Sequence, residues 1–336
     1  MNPSDLSQTI ARLPKAELHL HLEGSIRPDI AVQLAARDGV TLSEEEVRQR
    51  YDYRNFTGFL EAFKWVTSFL RTPEDFALSG ADLARQLIGQ NVRYAEITLS
   101  VGVMLLRKQN PQANFEALLR ATEPYEREIR LNWIFDAVRQ FGPEMAMEVV
   151  RWAQRCRSPR IVAFGIGGDE LSLATCEFRR VYRAATDCGL RSLIHAGEIG
   201  GPEKIREAVE LLEVDRVGHG IAAIHDPALM DLLAARRIAL EVCPVSNVRT
   251  GALAGQLGRP DFTVRDHPLP KLLRHGVPVV LSTDDPSMFH VTLSEEYANA
   301  QSMGLTEAEL RQLVANSFEF SFLSPTDRES LNLRPA

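Results

Sequence analysis

Cysteine, basic charge and long apolar runs are all scarce in this chain. Four cysteines in 336 residues, with no CxxC pair, favour free thiols in a reducing compartment over a disulfide framework. A formal net charge of −7 leaves no basic excess for a nucleic acid polymer or an anionic membrane. The sequence also lacks a bilayer-length apolar run and a signal-peptide pattern. We therefore expect a cytoplasmic protein that binds small molecules.

What the chain contains is the pattern of repeated βα units, with short apolar segments separated by stretches of helical periodicity. The predicted strands are 16–23, 93–100, 131–138, 161–168, 191–198, 215–220, 238–246 and 277–285. The clearest predicted helices are 55–70, 143–156, 201–213 and 226–237. Eight parallel strands close a barrel, so the predicted fold class is an α/β TIM-type (β/α)8 barrel. We expect one domain over residues 1–336, with a helical insertion at about 24–92 that walls the barrel mouth.

Polar side chains follow the predicted strands at the point where each strand ends. His19 and His21 end the first strand, and alternation places both imidazoles on its inner face, with Leu18, Leu20 and Leu22 facing the helices. The other polar strand-end residues are His195, Glu198, His219, Asp284 and Asp285. In a parallel barrel all these ends meet at one mouth, where catalytic residues lie.

These strand-end residues form a donor set that suits a metal ion. Four imidazoles and a carboxylate favour zinc or a related first-row ion over calcium or magnesium. Core histidines satisfied by their neighbours are the alternative for either histidine of the first strand alone, but the pair favours ligation. Three or four of these groups would bind metal and leave at least one to handle protons. The remaining histidines are expected to be solvated or structural: His225, His267, His275 and His290.

Acidic and glycine-rich segments at the same mouth suggest substrate contacts. Glu198 is one turn beyond its strand, where it would face substrate; an ion pair with a nearby cation is the alternative. The apolar run before Asp284 and Asp285 favours a site over a solvated loop or helix cap. The glycines of "GIGGDE" would let a planar ligand approach, although a tight turn explains them equally well. Neither a dinucleotide-binding GxGxxG nor a phosphate loop is present.

Six ordered segments resemble the adenosine deaminase family of metal-dependent amidohydrolases, over about residues 13–320. They are "LHLHLEGS", "GGDE", "HAGE", "RVGHG", "CPVSNVRTGAL" and "STDDPSMF". The resemblance implies one Zn²⁺ per chain, held by His19, His21, His195 and Asp284. It implies that Glu198 protonates N1 of the purine, that His219 orients and helps deprotonate the attacking water, and that Asp285 contacts N7. It also implies that the Gly168 amide faces N3 and that Ser246 and Asn247 support the pocket.

The resemblance leaves the substrate open between nucleoside and base. Glu23 stands where many nucleoside deaminases of the family carry Asp, which favours free adenine, whereas "SNVRTGAL" and "DDPSMFHVTLSEEY" are more similar to the nucleoside enzymes. The family also contains deaminases of 5′-substituted adenosines, including aminodeoxyfutalosine. Arg54, Lys64 and Arg71 in the insertion could meet a carboxylate on such an extension, although a solvated surface position is the favoured interpretation for these residues. We expect a zinc-dependent purine nucleoside deaminase. An adenine deaminase and a catalytically silent binding member of the superfamily remain alternatives. The sequence does not determine whether the chain forms homo-oligomers, which metal is native, or whether the pathway is purine salvage or menaquinone synthesis.

Overall fold

The fold is a barrel of eight parallel strands in sequential order, seen in a computed structural model that describes residues 9–53 and 55–331. The strands are β1 (Lys15–His21), β2 (Val92–Leu99), β3 (Arg130–Val138), β4 (Ile161–Gly167), β5 (Arg191–Ala196), β6 (Arg216–His219), β7 (Ala239–Val242) and β8 (Val279–Leu281). Each predicted strand overlaps one of these, so the predicted fold class is confirmed.

Helices connect the strands and form the outer layer. Before β5 they are α1 (Pro28–Arg37), α2 (Glu44–Arg50), α3 (Phe56–Thr67), α4 (Pro73–Gly89), α5 (Val101–Leu106), α6 (Pro111–Thr122), α7 (Gly142–Cys156) and α8 (Arg179–Asp187). After β5 they are α9 (Pro202–Leu211), α10 (Pro227–Arg236), α11 (Pro244–Arg249), α12 (Ala252–Leu257), α13 (Leu269–Arg274), α14 (Pro286–Phe289), α15 (Leu293–Ser302), α16 (Glu307–Glu319) and α17 (Pro325–Ser330). Many of these helices begin with proline. Proline has no backbone N–H, and the first position of a helix is one where an N–H would have no partner within the helix.

The predicted insertion after the first strand consists of α1 to α4. Local signals start these helices: Ser43 and Glu46 form a capping box at α2, Thr72 and Asp75 form another at α4, and Asn55 caps α3. Helix α3 carries the aromatic run of the predicted helix 55–70 and contributes to the wall over the barrel mouth.

Two strands end four residues earlier in the structure than the sequence predicts, and the other predicted ends agree within two residues. The prediction for 238–246 is wrong beyond Val242, because Pro244 begins α11 and carries no N–H for a strand ladder. The prediction for 277–285 overstates β8, which ends at Leu281. The polar residues after both strands therefore lie in loops and short helices, outside the ladder.

Strand β1 departs from simple alternation, which corrects the prediction that Leu18 faces the helices. The register against β2 shifts between Glu17 and Leu20. Leu18 packs with Tyr94 and Val280 in a small core that the C-terminal Leu323 covers, whereas Leu20 belongs to the main core. Beyond this irregularity His19 and His21 share the inner face, as predicted.

In the part of the chain that the structure describes, we find no helix with the length and apolarity that crossing a bilayer requires. All four cysteines are unpaired, in agreement with their spacing.

Candidate metal centre and active site

Four imidazoles and a carboxylate converge at the carboxyl ends of the strands. The ring centroid of His19 lies 5.5 Å from that of His21, 4.6 Å from that of His195 and 4.9 Å from that of His219. Asp284 Oδ1 lies 3.3 Å from His21 Nε2 and 3.5 Å from His19 Nε2. The structure thus brings together the five residues that the sequence offered as metal donors, in an arrangement able to hold a metal ion.

Barrel closure places the carboxylate of this cluster. The Asp284 N–H donates to the His19 carbonyl at 2.9 Å, and the Asp284 carbonyl accepts from the His21 N–H at 2.8 Å. Asp284 therefore continues the ladder from β8 onto β1 and lies between the two histidines. Asp284 and His219 both have left-handed φ angles, of 66° and 58°. Such strain in residues other than glycine is common where a side chain must be aimed at a functional site.

A nitrogen of His19 is placed to bind a cation. His19 Nδ1 donates to Glu241 Oε2 at 2.7 Å, and Glu241 is itself paired with the buried Arg216. This contact leaves Nε2 as the His19 nitrogen that faces the site, where it is buried without a hydrogen-bond partner. His195 Nδ1 is also buried and unpartnered. A carboxylate behind a histidine ligand is the usual support of a protein zinc site, and Glu241 supplies it here.

Burial keeps most of the cluster in the protonation state that a metal needs. It lowers the pKa of His21 to about 4 and of His219 to about 3, and holds that of His195 well below its usual value. These three rings are neutral at pH 7. His19 differs, because Asp284 and Glu241 outweigh its burial and raise its pKa to about 10, so that a metal ion binding there must displace a proton. Burial alone would raise the pKa of Asp284, but the close approach of His19, with His219 and His21 nearby, holds it well below its usual range. Neutral imidazole and ionised carboxylate are the forms that bind a metal ion.

Glu198 has the opposite protonation state. It lies beyond β5, where Thr250 donates to its Oε1 at 3.2 Å and its Oε2 is 3.7 Å from His219 Nε2. Burial, together with the charges of Asp284 and Glu170, raises its pKa to about 8. Glu198 therefore carries a proton at pH 7 and can donate it to a ligand in the cavity.

Glu170 holds the loop that carries Glu198. Its carboxylate accepts the backbone N–H groups of four consecutive residues, 197–200, at the start of that loop. Sequence reasoning quoted this glutamate within "GGDE" and gave it no role. An acid following a strand in an apolar context, the pattern used for Asp284, would have singled it out.

Asp285 is buried beside Asp284 and faces the cavity. Its Oδ1 has no hydrogen-bond partner, and burial together with the charge of Asp284 holds its pKa well above the usual value. Gly24 packs against it so closely that a Cβ there would lie 1.7 Å from Asp285 Oδ1. A protonated carboxyl group can donate to a ligand nitrogen.

The other predicted contacts divide between the cavity surface and the layer behind it. Gly168 lines the cavity with φ of +94°, and a Cβ there would lie 2.5 Å from Gln140 Oε1. Ser246 Oγ donates to Asp284 Oδ2 at 2.6 Å, and Asn247 Nδ2 lies 3.2 Å from His219 Nδ1. Both of these α11 residues contact the strand-end cluster from behind.

Glu23 also lies behind the cavity wall. Its Oε1 accepts from the Ser100 N–H at 2.9 Å, while its Oε2 is buried without a partner. Burial raises its pKa to about 7. A ligand reaching past Ser100 would find an acid that is partly protonated at neutral pH.

The cavity over this site encloses about 460 Å³ and extends beyond the metal donors. Helix α3 lines it with an apolar surface of Phe56, Phe59, Leu60 and Phe63. Lys64 and Arg107 lie on its wall, as does Asp136 at the end of β3. Sequence reasoning missed Arg107 and Asp136, although an acid late in the apolar run "LNWIFDAV" was a usable signal for Asp136.

Comparisons with known proteins agree with this geometry. A family model described as adenosine deaminase matches residues 14–334. An aminodeoxyfutalosine deaminase of Streptomyces coelicolor is 39% identical over 96% of this chain and 83% of its own. An adenine deaminase of the same organism is 38% identical over 96% of this chain and 93% of its own. The crystal structure of an amidohydrolase from Burkholderia ambifaria with bound Zn has a TM-score of 0.86 and 27% identity, covering 97% of this chain and 90% of that one.

Proposed function

We propose that this chain, which belongs to the adenosine deaminase family, hydrolyses the 6-amino group of an adenosine whose 5′ position carries an anionic extension. The observation that carries the reaction is a protonated carboxyl group, Glu198, beside a cluster of metal donors at the mouth of the barrel. The observation that carries the substrate class is a pair of cations farther along the same cavity.

The reaction follows from the protonation states in the site. Zinc, when bound by His19, His21, His195 and Asp284, supplies a water acidic enough to attack C6 near neutral pH. Glu198 donates its proton to N1, so that the ring can accept the electron pair of the new C–O bond. The proton released by the attacking water passes to the exocyclic amine, which leaves as ammonia. The C6 hydroxyl group then gives up its proton to Glu198, so that C6 becomes a carbonyl carbon and Glu198 is protonated again.

Two further residues orient the purine in this proposal. Asp285, whose raised pKa keeps a proton on the carboxyl group, donates to N7. The backbone N–H of Gly168 faces N3, where the absence of a side chain allows close approach. Together with Glu198 at N1, these contacts would recognise three ring nitrogens of a purine.

An anionic 5′ extension is supported by Lys64 and Arg107. Arg107 donates to the carbonyl and hydroxyl oxygens of Thr67, and in residues 9–53 and 55–331 neither cation has a carboxylate within ion-pair distance. An aromatic wall beside two such cations suits an apolar substituent that ends in a carboxylate. Of the cations first considered for this role, Arg54 lies outside the described residues, and Arg71 pairs with Asp38.

Adenine deamination is the second candidate. Glu23 in place of the Asp of many nucleoside deaminases favours it, as does the 38% identity to an adenine deaminase. A free base has no group to meet Lys64 and Arg107, and for this reason we place it second. A catalytically silent binding protein of this superfamily would not need the complete set of metal donors or a protonated Glu198.

The experiment that tests the proposal is a substrate panel of adenine, adenosine, 2′-deoxyadenosine, methylthioadenosine and aminodeoxyfutalosine. Deamination is followed by the spectral change from aminopurine to oxopurine, with zinc content measured on the same sample. We expect the highest kcat/KM for aminodeoxyfutalosine and a lower value for methylthioadenosine, which has no charge on its extension. Turnover of adenine alone would favour the second candidate, and turnover of none would refute both.

A charge variant tests the extension separately from the chemistry. Lys64→Gln should raise KM for aminodeoxyfutalosine by about 3-fold, the size expected of an exposed ion pair. KM for methylthioadenosine should not change. Lys108→Gln is the matched control, since Lys108 is an exposed cation near Arg107 that does not line the cavity. Equal effects of both variants on both substrates would contradict a carboxylate contact at Lys64.

A further inference from the structure

His219 is connected to a chain of buried hydrogen bonds on the side away from the cavity. Its Nδ1 lies 3.2 Å from Asn247 Nδ2, and Asn247 Oδ1 lies 3.2 Å from His267 Nε2. At the far end the Leu269 backbone N–H is 3.1 Å from His267 Nδ1. The side chains of His219, Asn247 and His267 are all buried. The sequence predicted a solvated or structural role for His267, and the structure places it in the buried layer behind the cavity.

The backbone N–H at the end of this chain sets the direction of every bond in it. Leu269 N–H can only donate, so His267 Nδ1 must accept. Burial lowers the pKa of His267 to about 3, so the ring is neutral and its single proton is on Nε2. That proton is donated to Asn247 Oδ1, which leaves the Asn247 NH₂ group to donate to His219. His219 Nδ1 is therefore an acceptor, and a neutral His219 carries its proton on Nε2.

This tautomer makes His219 the opposite of His19. In His19, Nδ1 donates to Glu241, and Nε2 faces the site without a hydrogen-bond partner, so that this nitrogen can bind a metal ion. In His219 the nitrogen that faces the site is an N–H, 3.7 Å from Glu198 Oε2 and 3.9 Å from Asp284 Oδ2. An N–H neither binds a cation nor accepts a proton. The positions of the two rings alone would make both of them metal ligands. The hydrogen bonds behind the rings distinguish His19, which can bind a metal ion, from His219, which can only donate a hydrogen bond.

We propose that Asn247 and His267 are positioning residues that hold His219 as an Nε2–H donor, so that His219 stabilises the oxygen added to C6 and does not take a proton from water. The inference rests on the proposed function only for what occupies the cavity. An Nε2–H group cannot take up the proton of the attacking water, so in this proposal that proton passes to a carboxylate of the site. This changes the role that the family resemblance implies for His219, and it leaves His21 as the third imidazole ligand.

The direct test is the tautomer of His219, measured by ¹⁵N NMR on zinc-loaded protein labelled at histidine. Long-range ¹H–¹⁵N correlations should show a protonated Nε2 and an unprotonated Nδ1 for His219, assigned by its loss in His219→Asn. Asn247→Asp should reverse the pattern, because a carboxylate accepts from both neighbours and would require a proton on Nδ1. A protonated Nδ1 in the unmodified chain, or no reversal in Asn247→Asp, would overturn the proposal.

A kinetic comparison tests the far end of the chain. His267→Phe fills the space of the ring without a donor, whereas His267→Gln has an amide that can donate to Asn247 Oδ1. We expect kcat to fall about 10-fold in His267→Phe and about 100-fold in Asn247→Asp, the latter being the usual cost of losing one donor to a reacting oxygen. KM should be unchanged, and His267→Gln should recover most of kcat. Equal losses in His267→Gln and His267→Phe would refute the donor role.

Measurements on the same samples distinguish a variant that fails to fold from one that folds but has lost activity. Zinc content and the melting temperature of each variant identify a loss caused by unfolding, and in that case the NMR pattern of Asn247→Asp decides. If the unmodified chain deaminates no adenine compound, the proposed function fails, while the tautomer measurement still tests the chain of hydrogen bonds. If deamination is normal and His219 carries its proton on Nδ1, only the present inference fails.

Discussion

At the scale of single residues, the site depends on neighbouring groups that are driven to opposite protonation states. Burial affects Glu198 and His21 alike, but it removes charge from each, so the carboxyl group gains a proton while the imidazole loses one. Asp284 stays ionised because the imidazoles outweigh its burial. An acid, a base and neutral ligands therefore coexist within a few ångströms at pH 7.

Glu198→Gln should lower kcat by about 10³-fold, because the amide cannot transfer a proton to N1. Zinc content should not change, since Glu198 is not among the proposed ligands. In the unmodified chain the group acts only when protonated, so kcat should fall as pH rises through its pKa of about 8. Steady-state kinetics across pH and metal analysis measure both effects.

Glu203→Gln is the matched control, as Glu203 is an exposed acid five residues farther along. It should leave kcat and its pH profile unchanged. Undiminished turnover in Glu198→Gln would exclude Glu198 as the proton donor.

At the scale of elements, the loop that carries Glu198 is held in place by hydrogen bonds from side chains. The loop of residues 197–200 has no ladder partner, and the Glu170 carboxylate takes up its N–H groups in place of a neighbouring strand. The same loop is contacted from the other side by Gln256, which donates to the carbonyls of Glu198 and Gly200. Glu198 is thus aimed by hydrogen bonds to its own backbone.

Glu170→Gln should destabilise the protein by about 1–3 kcal/mol, because a neutral amide leaves buried N–H groups poorly satisfied. It should also reduce kcat more than KM, since the substrate still binds while the proton donor is less well aimed. Thermal denaturation and steady-state kinetics give the two quantities.

Asp169→Asn is the comparison for this prediction, since it removes one negative charge from the adjacent, more exposed position. A Glu170→Gln variant as stable and active as Asp169→Asn would show that the loop does not depend on Glu170.

At the scale of the whole molecule, the barrel and the metal centre support each other. The cluster lies at one end of the barrel, and the Glu241 carboxylate joins it to Arg216, which also pairs with Glu96 and donates to the Phe320 carbonyl in the C-terminal segment. A hydrogen-bonded path of buried groups therefore runs from His19 through the barrel interior to its opposite end. A bound ion stabilises the folded state in proportion to the logarithm of its concentration over its Kd.

Removal of the metal by a chelator should lower the melting temperature, and zinc should restore it, with a difference of about 4 kcal/mol at a thousandfold excess over Kd. Differential scanning calorimetry with and without added zinc measures this. The shift should be retained in His275→Gln, an exposed histidine paired with Asp231, and lost in His21→Gln. An equal shift in both variants would place the ion elsewhere.

Much of this molecule could be predicted without coordinates, because periodicity and strand-end chemistry are local properties. Eight apolar segments indicated the barrel, and His19, His21 and Asp284 were found as polar residues ending apolar runs. Arg107 and Glu241 escaped the same reasoning. Arg107 ends a short helix with no local pattern, and Glu241 is a single acid within an apolar strand whose partner is distant in sequence.

What the sequence alone determined is therefore the set of elements and the residue types at their ends, since both follow from hydrophobic spacing and alternation along the chain. What only the tertiary structure decided is direction and protonation. The bulge in β1, the closure of β8 onto β1 through Asp284, and the bonds that link His219 to His267 all join residues far apart in sequence. Burial and hydrogen-bond direction depend on such distant neighbours, and they decide which nitrogen of each imidazole faces the site and whether that nitrogen carries a proton.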